Sequence, residues 1–250
     1  VIGFIDSGIG GLTVLKEALA ILPEEDYIYY ADTANVPYGS KTPHEVTSYI
    51  LKAVEYLIQY KIKLLTVACN TATSTTIQHL RESFDFPIIG MEPAVKPAVE
   101  NNNKPVLVMA TPLTLREEKF QNLVARVDQK GLVDYLPMPD LVDFAEELTF
   151  EGAALEAYIC DKVATVDIDR YSTLVLGCTH FIYFKALLKK MLPEDITIID
   201  GNQGTVNHMK NTLSTISPSP GKGNVELYFS SHGEEIIKKN QWAYDFINSN

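Results

Sequence analysis

The chain has 250 residues, 46% of them hydrophobic and 21% charged, enough to bury one large core or two small ones and far from a disordered composition. Asp and Glu number 32 against 21 Lys and Arg, a net charge of −11, so the basic footprint of a nucleic-acid binder is missing and an anionic substrate must be met by local donors. No apolar run reaches the ~18–20 residues that span a bilayer, the opening Val-Ile-Gly-Phe-Ile-Asp has no signal-peptide pattern, and three cysteines make a poor disulfide framework, so a soluble cytoplasmic protein without nucleic-acid or membrane partners is expected.

Short apolar runs alternate with helical patterns. Val1–Ile5 is a strand candidate, followed by Gly8, Gly10 and Gly11 and by a helix carrying Leu12, Leu15, Leu19 and Leu22 on one face. Tyr27–Tyr30 is a second strand. Thr42, Pro43 and Glu45 open the next helix as cap, first helical residue and capping-box acid. Leu64–Ala68 is a third strand, with a helix after it to about Phe84, and Pro87–Gly90 is a short fourth. The βαβ alternation predicts a parallel sheet covered by helices.

The pattern then restarts. Pro105–Ala110 is a strand, Thr111-Pro112 caps a helix, and Leu132–Leu136 is a strand. Helices are expected near Leu141–Leu148 and over Glu151–Val166, strands at Thr173–Leu176, Ile196–Ile199 and Val225–Phe229, and a helix from about Gly233 to Ile247. Loop signals stand at Asn101–Pro105 and Ser217–Gly221, the first marking a boundary between two α/β units.

Cys69 and Cys178 occupy equivalent places: an apolar run, a small residue, the cysteine, then hydrogen-bonding residues, Asn70 and Thr71 after one and Thr179 and His180 after the other. Both are expected at the C-terminal end of a parallel strand, where open α/β sheets bind ligands, and at a helix start that favours the thiolate. A single such cysteine reads as a buried small hydrophobe; the pair points to acid–base chemistry. Asp6, ending the first strand, is placed either to take a thiol proton or ammonium hydrogen bond or to cap a helix. The Asp32–Ser40 loop is either a turn or brings Tyr38 and the Gly39 backbone to a small ligand. His180 is either a core histidine or, in an extended segment, shares a face with Cys178. Zinc held by Cys69, Cys178 and His180 lacks CxxC or HxxxH spacing and a fourth ligand, and the Gly8-Ile9-Gly10-Gly11 spacing is not the dinucleotide fingerprint.

Asp-Ser-Gly-x-Gly-Gly, Pro-Tyr-Gly, Cys-Asn-Thr-Ala and Gly-Cys-Thr-His occur in that order, and on them the chain resembles the glutamate racemase family from Ile2 to about Gly201. The resemblance implies two facing α/β domains with mainly parallel sheets, the substrate enclosed between them, and no cofactor or metal. It implies Cys69 and Cys178 as the catalytic bases. It assigns substrate contacts to Asp6, Ser7, Tyr38, Gly39, Asn70, Thr71, Thr179 and His180, with Asp6, His180 and Glu146 also serving catalysis. Asp143 and Ile182 stand where the family commonly has proline. The restart and the resemblance together place a discontinuous first domain at 1–95 and 206–250 and a second at 96–205. The expected partner is a small molecule, glutamate, converted for peptidoglycan synthesis, and a homodimer is the candidate assembly. The alternatives are a related two-cysteine aspartate racemase and a non-catalytic small-ligand-binding protein.

Overall fold

A computed structural model describes residues 1–100, 104–216, 219 and 221–249. Most of both loop signals, Asn101–Asn103 and Ser217, Pro218 and Pro220, lies outside the described residues. The elements are β1 (Ile2–Asp6), α1 (Leu12–Ile21), β2 (Tyr27–Ala31), α2 (Pro43–Leu57), β3 (Leu64–Val67), α3 (Asn70–Ser83), β4 (Ile88–Gly90), α4 (Val95–Glu100), β5 (Val106–Ala110), α5 (Pro112–Arg116) and α6 (Glu118–Val127). They continue with β6 (Val133–Pro137), α7 (Leu141–Glu146), α8 (Ala153–Val163), β7 (Thr173–Leu176), α9 (Lys185–Met191), β8 (Thr197–Asp200), α10 (Asn202–Ile216), β9 (Val225–Phe229) and α11 (Glu234–Asn248).

The strands form two parallel sheets, ordered β4-β3-β1-β2-β9 and β6-β5-β7-β8. The central strands β1 and β5 are buried along their whole length because helices cover both faces. On one face of the first sheet, Leu12 and Leu15 of α1 pack with Val206 and Met209 of α10 and Ala243 and Ile247 of α11. Val46, Ile50 and Val54 of α2 and Ile77 and Leu80 of α3 fill the other. The second sheet is covered by α7–α9 on one side and by α4 and α6 on the other.

Local chemistry explains the element ends. Thr42 makes the expected capping box with Glu45. Thr111 caps α5, accepting from the Thr114 N–H, but the helix breaks at the extended Glu117 and restarts as α6. The helix expected through Leu148 stops at Glu146, because Leu148 turns left-handed (φ 55°) and the Thr149 N–H closes onto the Phe144 carbonyl. That stop leaves the Glu146 side chain buried at the junction of the two sheet units.

The strand order reverses at one point in each sheet. The chain leaves β1 toward β2 and leaves β3 toward β4, in opposite directions, so a crevice opens between the C-terminal ends of β1 and β3. In the second sheet the same reversal falls between β5 and β7. Asp6 ends β1 and Cys69 follows β3 at the first crevice, and Thr111 and Cys178 follow β5 and β7 at the second.

The two units meet at the loop after β1. The Gly8 and Ile9 backbone groups are engaged: Gly8 N–H donates to Asp6 Oδ1 (2.9 Å), Ile9 N–H to Glu146 Oε1 (2.7 Å), and the Gly8 and Ile9 carbonyls accept from the Tyr29 and Tyr183 hydroxyls (2.7 Å each). The approach leaves no room for side chains. A Cβ on Gly8 would lie 1.8 Å from Glu146 Oε1, and one on Gly10 would lie 2.5 Å from His180 Nδ1. Gly204, within α10, has nothing within 4 Å of its Cβ position. Gly8→Ala is therefore expected to destabilise by about 3 kcal/mol through overpacking, and Gly204→Ala to stabilise by about 0.5–1 kcal/mol. Urea midpoints of the two variants check the opposite signs.

Candidate active site

Cys69 precedes α3 in an extended conformation, and its Sγ accepts from the Ala72 N–H at 3.5 Å. A Ser7 hydrogen bond also favours the charged sulfur. Burial outweighs both, and with the Asp6 carboxylate and Cys178 nearby it pushes the Cys69 thiol far above its ordinary value. The expectation that a helix start would favour the thiolate is thus reversed here: a sulfur 5% exposed loses more hydration than one N–H returns. Cys178 is also extended, but the segment after it, Thr179–Phe184, is 3₁₀-helical rather than extended. Its tight turn carries the His180 ring back, so that Nδ1 lies 3.8 Å from Cys178 Sγ. Cys160 is exposed on α8, away from this chemistry.

Asp6 is not a helix cap, since the N-cap of α1 is Gly11 and the helix has no side-chain cap. Its Oδ2 accepts from the Thr179 hydroxyl (3.1 Å), joining the two sheet units beside Cys69. Burial raises the Asp6 pKa, against the His180 charge and the Gly8 N–H.

Glu146 collects three donors: Ile9 N–H and His180 Nε2 on Oε1, and Lys239 Nζ on Oε2, each at 2.7 Å. Burial alone would raise its pKa; the contacts with His180 and Lys239 outweigh burial and hold it below the usual glutamate value. For His180, burial opposes the charged ring, but Cys178 and Glu146 outweigh that and raise it well above an ordinary histidine. An ionised carboxylate only accepts, so Nε2 carries a hydrogen, and in the neutral ring Nδ1 presents its lone pair to Cys178.

Polar side chains line the junction. Thr71 of α3 meets Thr111 and Thr114 in a triangle of hydroxyl contacts at 2.9–3.0 Å. Asn70 is buried with neither amide atom partnered by the protein. Tyr38 donates to Asp32 Oδ2 (2.6 Å), and Asp32 also accepts from Asn35 and from Ser230, which ties this loop to the end of β9. A Cβ on Gly39 would lie 2.7 Å from that of Thr111, so the loop lies directly on the second sheet's unit.

The structure thus brings Asp6, Ser7, Cys69, Glu146, Cys178, Thr179 and His180 into one connected set, with Asn70, Thr71 and the Tyr38–Gly39 loop buried or packed at the same junction. Among the described residues no group of three or more His, Cys, Asp or Glu side chains is placed to hold a metal ion, and no helix is long and apolar enough to cross a membrane. Sequence reasoning missed Lys239, Thr114 and Asp32, and read Thr111 only as a cap. For Lys239 a signal existed: it shares the apolar stripe of α11 with Ala243 and Ile247, four and eight residues on.

The model of the Asp/Glu/hydantoin racemase family matches residues 5–209. A glutamate racemase of Halothermothrix orenii is 57% identical over 98% of both chains. Among solved structures, a glutamate racemase isoform of Bacillus anthracis superposes with a TM-score of 0.87 at 29% identity, covering 100% of this chain and 94% of that one. The Escherichia coli glutamate racemase in complex with L-glutamate and the activator UDP-MurNAc-Ala gives 0.86 at 27% identity, covering 98% and 94%. The matched span contains Asp6, both buried cysteines, Glu146 and His180, and the chain belongs to the Asp/Glu/hydantoin racemase family.

Proposed function

We propose that this protein interconverts L- and D-glutamate, with Cys69 and Cys178 as the two bases on opposite faces of the substrate Cα. The observation that carries the reading is the pair of buried thiols at the switch points of two sheets, each within the electrostatic reach of the other. Glutamate as substrate is favoured over aspartate by the 57% identity to a glutamate racemase across 98% of the chain.

Racemisation removes the α-proton from one face and returns a proton on the other, so each turnover needs one thiolate and one thiol. A turnover of ~10 s⁻¹ corresponds to a barrier of roughly 16 kcal/mol. Lowering the barrier that far requires donors aimed at the charge that develops on the substrate carboxylate. The Asn70 amide, the Thr71 and Thr179 hydroxyls and the N–H groups opening α3 are suited to that role, with Ser7, Tyr38 and Gly39 closing the site. Asp6 exchanges a proton with Cys69, and His180 Nδ1 takes or returns the proton of Cys178. Glu146 keeps that ring in its tautomer. The side chains alone carry both proton transfers, with no cofactor.

The same reading divides the chain into a first domain of residues 1–95 with 206–250 and a second of 96–205. It places the enzyme in the cytoplasm, supplying D-glutamate for peptidoglycan.

Incubation of the protein with L- or D-glutamate in deuterated buffer, without added cofactor, is the direct test. Deuterium at Cα together with the opposite enantiomer is expected. Exchange with aspartate in preference to glutamate selects the aspartate reading, and no exchange with either selects a binding protein. Two bases predict opposite defects. Cys69→Ser and Cys178→Ser should each abolish net racemisation. With a substrate analogue carrying a β-leaving group, which needs only one deprotonation, Cys69→Ser should eliminate from the L-enantiomer and Cys178→Ser from the D. The same preference in both variants removes the two-thiol assignment. Asp6→Asn and His180→Asn should lower kcat about 10²- to 10⁴-fold with smaller changes in the urea midpoint.

A further inference from the structure

Lys239 lies outside the span matched by the family model, on the helix that follows the last strand of the first sheet. It is 5% exposed, between the apolar layer of α11 and the junction of the two units. A lysine buried this far is costly unless its charge is paired and hydrogen-bonded. Its Nζ donates to Glu146 Oε2 at 2.7 Å, while Glu146 Oε1 accepts from His180 Nε2 at the same distance and His180 Nδ1 faces Cys178. The four side chains form one line running from the C-terminal helix to a reactive sulfur.

We propose that Lys239 is a positioning residue for proton transfer at Cys178: its ammonium keeps Glu146 a carboxylate, which holds one ring hydrogen of His180 on Nε2, so that Nδ1 is the nitrogen that takes or returns the Cys178 proton. The inference rests on the reading of Cys178 as a base. A carboxylate buried against an imidazolium alone can take the ring's proton and leave a neutral pair. The carboxyl group then donates to Nε2, the remaining ring hydrogen stays on Nδ1, and the nitrogen facing the sulfur is a donor. That is the wrong tautomer for receiving the Cys178 proton. A fixed positive charge on the far carboxylate oxygen disfavours that collapse.

The other ionisable groups around Glu146 do not supply such a charge. They are Asp6 and Tyr29 from the first sheet, Asp143 on its own helix, and His180 and Tyr183 from the segment after Cys178. Asp6 and Asp143 are acidic and Tyr29 and Tyr183 are held neutral by burial, so Lys239 is the basic side chain on the far carboxylate oxygen.

The test compares Lys239→Met, Lys239→Gln and Lys239→Arg with the wild type. The two neutral variants should lose about 10²-fold in kcat, the low end of what one acid–base group contributes, with KM unchanged. Removing the cation raises the pKa of Glu146, so Glu146 protonates at higher pH, and the acid limb of kcat/KM should move upward by about 1–2 pH units. Lys239→Arg should restore both. The carboxyl carbon of Glu146, followed by NMR in ¹³C-glutamate-labelled protein, should titrate higher in the neutral variants and not in the arginine variant. That readout needs no turnover: if the wild type does not racemise glutamate, the functional reading fails while the titration still decides the role of Lys239. Unchanged kcat and an unmoved Glu146 titration overturn the proposal. So does a loss of kcat with the titration unmoved, which assigns Lys239 to packing alone. If neither neutral variant folds, the wild-type titration decides: Glu146 must protonate below an ordinary glutamate, and a value at or above it overturns the inference.

Discussion

The structure depends on one buried carboxylate. Glu146 accepts from the backbone of the loop after β1, from the histidine beside Cys178 and from the lysine of the last helix. Two of those donors belong to the first sheet's elements and one to the second's, so one of the contacts that hold the units together also sets the hydrogen bonding of the histidine beside Cys178. Several kcal/mol are required to take such a charge out of water, and the cost is offset only because the donors are close and well aligned. This explains why Gly8 and Gly10 stand where they do. Any side chain there would push away the oxygen or the ring on which the arrangement turns.

The two sulfurs occupy equivalent places but have opposite neighbours. Cys69 lies beside a carboxylate and two neutral donors, and burial keeps it protonated. Cys178 lies beside an imidazole whose far side rests on Glu146. Similar topology in the two sheets therefore yields distinct electrostatics.

Much of the fold was legible because it is local. Strand positions followed from apolar runs, the Thr42–Glu45 capping box from its spacing, and the place of both cysteines from the strand ends they follow. What was not legible depended on tertiary contacts. The break between α5 and α6 at Glu117 and the left-handed stop at Leu148 follow from where the chain must pack. The Thr71–Thr111–Thr114 contacts join residues about forty positions apart, and no spacing rule reaches that far. Lys239 was hidden for a different reason: beside Lys238 it looks like part of a solvated face, and only its register with Ala243 and Ile247 places it inward. The helix-start argument weighed the N–H groups and, at Cys69, missed the loss of hydration.

The placement of Lys239 also bears on how the molecule comes into being. During synthesis Glu146 and His180 leave the ribosome well before α11, the last element of the chain's fold, which follows the edge strand β9. Until that helix docks, the carboxylate at the junction has its imidazole neighbour but no lysine. The order of translation therefore makes the charge balance of the centre a late event, and a nascent chain that already contains both cysteines does not yet hold their surroundings in the final ionic state.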